Sequence, residues 1–375
     1  MRFRPTTLTA SEQRLRDEVR TFLTAEFGDG VERPVGGAFD QDFSRRLAAR
    51  GWVGMTIPTE YGGPGGTAVQ RFVVAAELLA SGAPITAHWV ADRQSAPSIL
   101  THGTEEQKRR FLPAIARGEC TFSIGMSEPD SGSDLASIRT SAVRAPGGWR
   151  VTGTKVWTSV AHRTDYALTL LRTSPPGQDR HDGMSQFIID LRGPGVTVNP
   201  ILQLDGAHDF NEVVFDDAFV PDDMVLGKIG GGWHQVTSEL AYERSGPDRW
   251  LSTYRVFRSF LGRYGLVDSD AVRDTIGRIV ARYRTLYNLS LSIARMIDDR
   301  GAPAAEAALV KDLGTVFEKE VVESVRDLAA IAPDPRAEDA FTRQLAAATL
   351  TSPILTIRGG TTEILRGVAT RELIR

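Results

Sequence analysis

A single cysteine, Cys120, stands among 375 residues, which excludes an internal disulfide and any cysteine-rich metal site. Six histidines are scattered, with no pair at the helical spacing of a zinc hydrolase, so no metal is expected. An excess of one charge is missing too. The net charge is -3, with 44 basic against 47 acidic residues interspersed, so neither nucleic acid nor a membrane is an expected partner. No apolar run approaches membrane-spanning length. Met1-Arg2-Phe3-Arg4-Pro5 lacks the apolar stretch of a secretion signal, so the cytoplasm is the expected address. Internal repeats and low-complexity segments are absent as well.

What is present suits a soluble globular enzyme: 41% hydrophobic residues, 24% charged, and length enough for two or three domains with a large core. Residues 8 to 120 read as helical. An amphipathic run opens at Ala10 and reaches Phe27, with Leu15, Val19, Phe22 and Leu23 on one face. Further helices are predicted at 72–79 and 107–115, the latter starting at Thr104 through a Thr-x-x-Gln capping box. Between 121 and 228, short β-branched runs at 149–151, 166–171, 185–189, 196–198 and 212–215 alternate with Gly and Pro clusters. This predicts an antiparallel sheet or small barrel. From 233 the chain is helical again, with long Arg-rich segments at 270–299 and 303–330 whose charges read as solvated or inter-helix faces. The order predicts an α+β fold in three parts: a helical domain over 1–120, a β-domain over 121–230 and a helical bundle over 231–375.

Four segments then stand out: Gly51-Trp52-Val53-Gly54 through Gly62-Gly63; Gly103-Thr104-Glu105-Glu106-Gln107-Lys108 through Gly118-Glu119; Ser127-Glu128-Pro129-Asp130-Ser131-Gly132-Ser133-Asp134; and Gly153-Thr154-Lys155-Val156-Trp157-Thr158-Ser159. In order and spacing they resemble the acyl-CoA dehydrogenase family. The resemblance covers nearly the whole chain, most tightly from 51 to 245. It implies the family's helical, β and helical fold, an FAD cofactor, and conversion of an acyl-CoA or acyl-carrier thioester to its trans-2-enoyl product. It also implies an electron-transfer flavoprotein as acceptor and an oligomer, either homo- or hetero-.

In the third segment, Pro129 stops the preceding strand, and Gly132 with small Ser131 and Ser133 lets backbone approach a ligand. By the resemblance, Met126 and Ser127 contact the isoalloxazine, Ser133 the pyrophosphate and also the substrate, and Gly132 belongs to the same cofactor turn. Trp157 and Ser159, two apart on a strand, project to one face. Trp157 can lay its ring on the flavin while Ser159 donates toward N5. Thr361 and Glu363 resemble residues that touch the cofactor from the C-terminal part. Taken alone, each of these is a turn, a core tryptophan or a surface serine.

Most family members place the catalytic glutamate just before a Gly-Thr in the C-terminal loop. Here that position is Gly359, in Arg358-Gly359-Gly360-Thr361, and glycine cannot be a base. The isovaleryl-CoA and long-chain enzymes instead carry it on a helix, immediately before an arginine. Glu243-Arg244 fits that placement, and Pro247 kinks or ends the helix just beyond. Arg244 is expected to order the helix or the Gly359 loop and to meet substrate. The N–H of Gly359 can still polarise the thioester carbonyl.

Two family segments have no clean counterpart. The Arg-x-x-Phe-Gly run that reaches a neighbouring subunit's FAD is replaced by 257–265, and the Gln-x-x-Gly-Gly-x-Gly run is missing from 326–353. This leaves open one subunit of a heteromeric dehydrogenase, alongside a flavin oxidase or monooxygenase on the same fold. Ser81-Gly82-Ala83-Pro84 and 161–165 look like bacterial members acting on bulky, including sterol-derived, acyl chains. His162 reads as a surface histidine.

Overall fold

The computed structural model describes residues 3–28, 38–265 and 269–373, with side chains described for all of these except 239–243 and 372–373. Helices and strands run in the order α1 (Ala10–Phe27), α2 (Gln41–Ala48), α3 (Ala68–Ser81), α4 (Thr86–Val90), α5 (Ala96–His102), α6 (Glu105–Ala116), β1 (Phe122–Gly125), β2 (Ser141–Ala145), β3 (Gly148–Ser159), β4 (Tyr166–Arg172), β5 (Met184–Asp190), β6 (Val196–Ile201), β7 (Phe210–Pro221), β8 (Val225–Leu226), α7 (Gly232–Arg244), α8 (Tyr254–Tyr264), α9 (Asp270–Asp298), α10 (Ala304–Ala329), α11 (Ala340–Thr351) and α12 (Thr362–Leu373). No helix among the described residues is long and apolar enough to cross a membrane.

Local chemistry sets many of these ends. Thr9 and Thr67 open α1 and α3 with capping boxes closed by Glu12 and Gln70. Thr104 does the same for α6. Its hydroxyl accepts from the Gln107 N–H at 3.2 Å, and Gln107 Oε1 accepts from the Thr104 N–H at 3.0 Å. A left-handed Gly82 ends α3. The expected inward face of α1 is confirmed by Val19, Phe22 and Leu23, while Leu15 is half-buried.

By contact the chain forms two compact units. The first joins Met1–Ala38, Thr67–Pro84 and Ala241–Arg375; the second joins Phe39–Gly66 and Ile85–Leu240. In the first, α9 and α10 form long antiparallel walls. Phe72, Trp250, Phe257, Tyr283 and Phe317 fill the core beside them. A carboxylate on α9, Asp298, caps the start of α3 by accepting from the N–H groups of Ala68 and Val69.

The second unit is built on one eight-stranded sheet in the order β6-β7-β3-β2-β4-β5-β8, with β1 beside β4. Pairing is mainly antiparallel, as expected. The differences are that β1 runs parallel to β4 and that β2 touches β4 in parallel. Phe111, Phe122 and Tyr166 meet edge-on or tilted where α6 covers the sheet. Cys120 lies buried here, and burial pushes its thiol up to about 12. Gly63, in the first family-like segment, answers to the fold alone: a Cβ there would come 2.2 Å from the Ile57 carbonyl oxygen.

Candidate functional site

The residues singled out in the sequence fall in two groups, one in each unit. In the second unit the turn after β1 is fixed from beneath by a buried ion pair. Lys155 on β3 is fully buried and donates to Glu128 Oε1 at 2.8 Å and to the Met126 carbonyl at 3.0 Å. Glu128 also accepts from the N–H groups of Arg139 (2.7 Å) and Thr140 (2.9 Å). Burial works to raise the Glu128 carboxyl, but Lys155 and these N–H groups outweigh it and hold it below the usual carboxylate range. Burial pulls the Lys155 ammonium down to about 8 against the pull of Glu128, so the pair is charged near neutral pH. The Val156 N–H donates to the Ser127 carbonyl at 2.9 Å, which ties the 126–128 turn to β3.

One residue further on, β3 breaks its register against β7 between Lys155 and Thr158. Trp157 sits in this bulge with φ +60° and is 59% exposed. A large aromatic held left-handed and turned to solvent is costly, and such strain collects at functional positions. Exposed Trp157, buried Thr158 and half-buried Ser159 still alternate. The ideal-strand argument for Trp157 and Ser159 does not carry through a bulge, however, because the bulge re-aims the tryptophan. Phe210 stands edge-on to Trp157 at 6.0 Å. Asn211 anchors the bulge by donating to the Thr158 carbonyl at 3.0 Å. Its Oδ1 meets both His162 (3.2 Å) and His208 (2.8 Å), whose rings stack at 3.9 Å. His162 is exposed as expected but has a partner.

Gly132 and Ser133 lie on the exposed part of the turn. Gly132 does not have positive φ, and a Cβ there would meet nothing within 4 Å, so the fold does not require glycine at that point. Arg180 closes on Asp134 and on the Ser137 hydroxyl next door. Among the described residues, the hydroxyls of Ser127, Ser133 and Ser159 have no partner, and Thr158 Oγ1 is buried without one. An open aromatic plane, an open turn and unengaged hydroxyls fit a flat, polar-edged group carrying a pyrophosphate.

In the first unit, α7 ends at Arg244, and Pro247 opens a separate 3-10 turn over Pro247–Arg249. The helix therefore ends before the proline and is not kinked by it. Arg244 is buried, and its Nη2 lies 3.5 Å from where a Cβ on Gly360 would stand. The Arg244 guanidinium thus reaches from the last turn of α7 to the diglycine turn. Glu243 lies in that last turn, and its side chain is outside the described residues. Gly359 and Gly360 have φ of +68° and +97°, conformations that favour glycine. Thr361 and Glu363 follow at the start of α12. Glu363 is exposed, and its own N–H together with the Thr361 hydroxyl holds its carboxyl low. No group of three or more His, Cys, Asp or Glu among the described residues could hold a metal ion.

Sequence reasoning passed over Lys155, Asn211, Lys311, Glu318 and Arg358. The last three surround the diglycine turn from α10 and from the turn itself. Their one sequence signal is spacing: Lys311 and Glu318 are seven residues, two helical turns, apart and so share one face of α10.

Comparison with known proteins agrees with the geometry. Models of the acyl-CoA dehydrogenase N-terminal, middle and C-terminal domains match residues 9–119, 123–218 and 230–374. The chain is 33% identical to acyl-CoA dehydrogenase FadE29 of Mycobacterium tuberculosis (strain ATCC 25618 / H37Rv), over 96% of this chain and 95% of that protein. It is 34% identical to FadE34 of the same organism over 88% of this chain, a match spanning only 45% of that longer protein. Among solved structures, the Tcur3481-Tcur3483 steroid ACAD superposes with a TM-score of 0.85 at 28% identity, covering 98% of each chain. The ChsE4-ChsE5 complex from Mycobacterium tuberculosis gives a TM-score of 0.83 at 27% identity, covering 100% of this chain and 99% of that one. The chain belongs to the acyl-CoA dehydrogenases, a family of FAD-dependent flavoprotein oxidoreductases of lipid metabolism.

Proposed function

We propose that this chain removes the α-proton of an acyl thioester with the Glu243 carboxylate as the β-hydrogen departs with its electron pair, leaving the trans-2-enoyl thioester. When bound, the flavin supplies the two-electron acceptor for that hydride at N5. The observation that carries the reading is the Arg244 guanidinium beside Gly360, its Nη2 3.5 Å from where a Cβ would stand. It puts the helical turn that contains Glu243 within one arginine's reach of the loop that lacks a glutamate. A base near Cα must be oriented and only partly solvated to act at neutral pH. The N–H of Gly359 polarises the thioester carbonyl as negative charge develops on its oxygen, a role that needs no side chain. Arg244 holds this turn and faces the substrate.

Bound FAD would be held at its isoalloxazine by Trp157, Met126 and Ser127, with Ser159 offering a donor to N5 and Gly132 and Ser133 on the pyrophosphate side, where Ser133 would also meet substrate. Thr361 and Glu363 would add cofactor contacts of their own. These roles follow the three-part division 1–120, 121–230 and 231–375. Similarity to a steroid ACAD supports a bulky, sterol-derived acyl group as substrate. The cytoplasm is the proposed location and an electron-transfer flavoprotein the proposed acceptor. Similarity to a two-component complex, with the departure from the family pattern at 257–265, supports assembly with a second, related polypeptide that completes the FAD site.

The test is an anaerobic visible spectrum of the purified protein before and after a panel of acyl-CoA thioesters. Bleaching of a bound flavin by one thioester class supports the dehydrogenase. Glu243→Gln is expected to retain flavin and lose bleaching by at least about a thousandfold. Unchanged bleaching in that variant would remove Glu243 as the base. A colourless protein that takes up FAD only with a partner chain would favour the heteromer.

A further inference from the structure

Three polar residues lie on one face of α10, all of them fully buried: Lys311, Thr315 and Glu318. Burying an ammonium and a carboxylate in a helical core is costly unless each is engaged. The engagements of Lys311 and Glu318 lead to one place. Lys311 Nζ donates to the Gly360 carbonyl at 2.5 Å. Thr315 is turned back on its own helix, bonding the Lys311 carbonyl at 2.8 Å. Glu318 Oε1 accepts from the Ser252 N–H at 2.7 Å, and its Oε2 meets the Arg358 guanidinium at 3.3 Å. Arg358 Nη2 also donates to the Asp248 carbonyl (2.8 Å) and the Ser252 hydroxyl (2.7 Å). Burial pushes the Glu318 carboxyl up while Arg358 and Ser252 oppose it.

The residues on either side of Gly359 are therefore both tied to α10, one by its side chain and the other by its carbonyl. The two anchors are seven residues apart, about 10 Å along the helix. The turn between them consists of two left-handed glycines, which have no side chains with which to hold themselves.

We propose that Lys311 and Glu318 are positioning residues: together they fix the Arg358–Gly359–Gly360 turn so that the Gly359 N–H meets the thioester carbonyl in one orientation. This rests on the reading that the Gly359 N–H polarises that carbonyl. The clamp replaces what a side chain at 359 would otherwise contribute to order in the loop. Displacement of a polarising donor by about 1 Å is enough to cost about a hundredfold in rate.

The test uses the holoenzyme, with any chain that co-purifies, in the Glu243→Gln background, so that bound thioester is not consumed. The thioester carbonyl of an acyl-CoA that bleaches the parent enzyme is labelled with carbon-13, and its stretch is read by difference infrared spectroscopy. The Glu243→Gln protein is expected to lower the stretch relative to the free thioester. Lys311→Met is expected to abolish most of that lowering at saturating thioester, and Lys311→Arg to restore it. With Glu243 intact, Lys311→Met should lower the anaerobic bleaching rate about a hundredfold while changing thioester affinity only a few-fold. If Lys311→Met does not fold, Glu318→Gln is read in the same way. A full lowering retained in a folded, flavin-bearing Lys311→Met or Glu318→Gln protein would overturn the clamp alone. No lowering in the Glu243→Gln parent would overturn the carbonyl-polarising reading, and the clamp with it.

Discussion

Replacing Lys155 by Met tests the buried pair under the 126–128 turn. The methionine fills most of the lysine's volume but carries no charge and no donor. Glu128 then keeps only the N–H groups of Arg139 and Thr140, and the Met126 carbonyl loses its partner. Removing one member of a buried pair costs about 3–5 kcal/mol. The two N–H bonds that survive on Glu128 and the stranded carbonyl pull in opposite directions, so about 4 kcal/mol is the working figure. At about 2.1 cal/mol/K of unfolding entropy per residue, cooperative unfolding of the 375 residues carries about 0.8 kcal/mol/K. The midpoint should then fall by about 5 °C. Differential scanning calorimetry of the flavin-stripped protein gives the shift, and flavin absorbance after gel filtration gives cofactor retention. The double change Lys155→Met with Glu128→Gln removes the stranded charge and should recover about half of the loss. A single variant that melts within about 1 °C of the parent and retains its flavin would refute the claim that this pair holds the turn.

Two more predictions concern other positions, beside those already set out for Glu243 and Lys311. Trp157→Gly relieves a left-handed side chain and so should leave the melting point of flavin-free protein unchanged or raise it slightly. It should also weaken FAD binding at least about tenfold, as read by equilibrium dialysis; unchanged FAD affinity would remove Trp157 from the cofactor site. His88 is buried against Ser44 with its imidazole pulled down to about 4 by burial. Its folded pKa lies below the unfolded 6.5, so its contribution is complete above pH 6.5 and is lost as pH falls toward 4. The loss amounts to roughly 3 kcal/mol. His88→Asn should flatten that part of the acid stability curve in urea titrations; an identical slope in both proteins would show that His88 does not titrate there.

The sequence carried the helices well because their signals are local. Thr104 and Gln107 announce the start of α6 by themselves, and the run from Ala10 to Phe27 has its apolar stripe in place. Strands were harder. β1 has four residues, and its partner, β4, begins 44 residues further on, so its hydrogen bonds could not be read from its neighbourhood. β3 looked shorter than it is because Gly153 and Lys155 interrupt it, and a lysine in a strand ordinarily faces water. The same bias hid Lys311 and Glu318: their spacing was visible, but whether that face turns inward depends on what α10 packs against. The glycine at 359 was legible only by likeness to the family, and the strain at Trp157 was not legible at all, since a bulge is a property of two paired strands.

Cys120 bears on the chemistry of the assay bench. Its thiol is buried and stays protonated, so this chain carries no thiolate for peroxide, maleimide or disulfide reagents to find. Oxygen consumption by the reduced flavoprotein, the measurement that separates a dehydrogenase from an oxidase, can be run without added reductant. Peroxide that accumulates is not consumed by a cysteine thiolate of the protein. The same silence makes a cysteine introduced at exposed Val143 a single-site handle for a fluorophore.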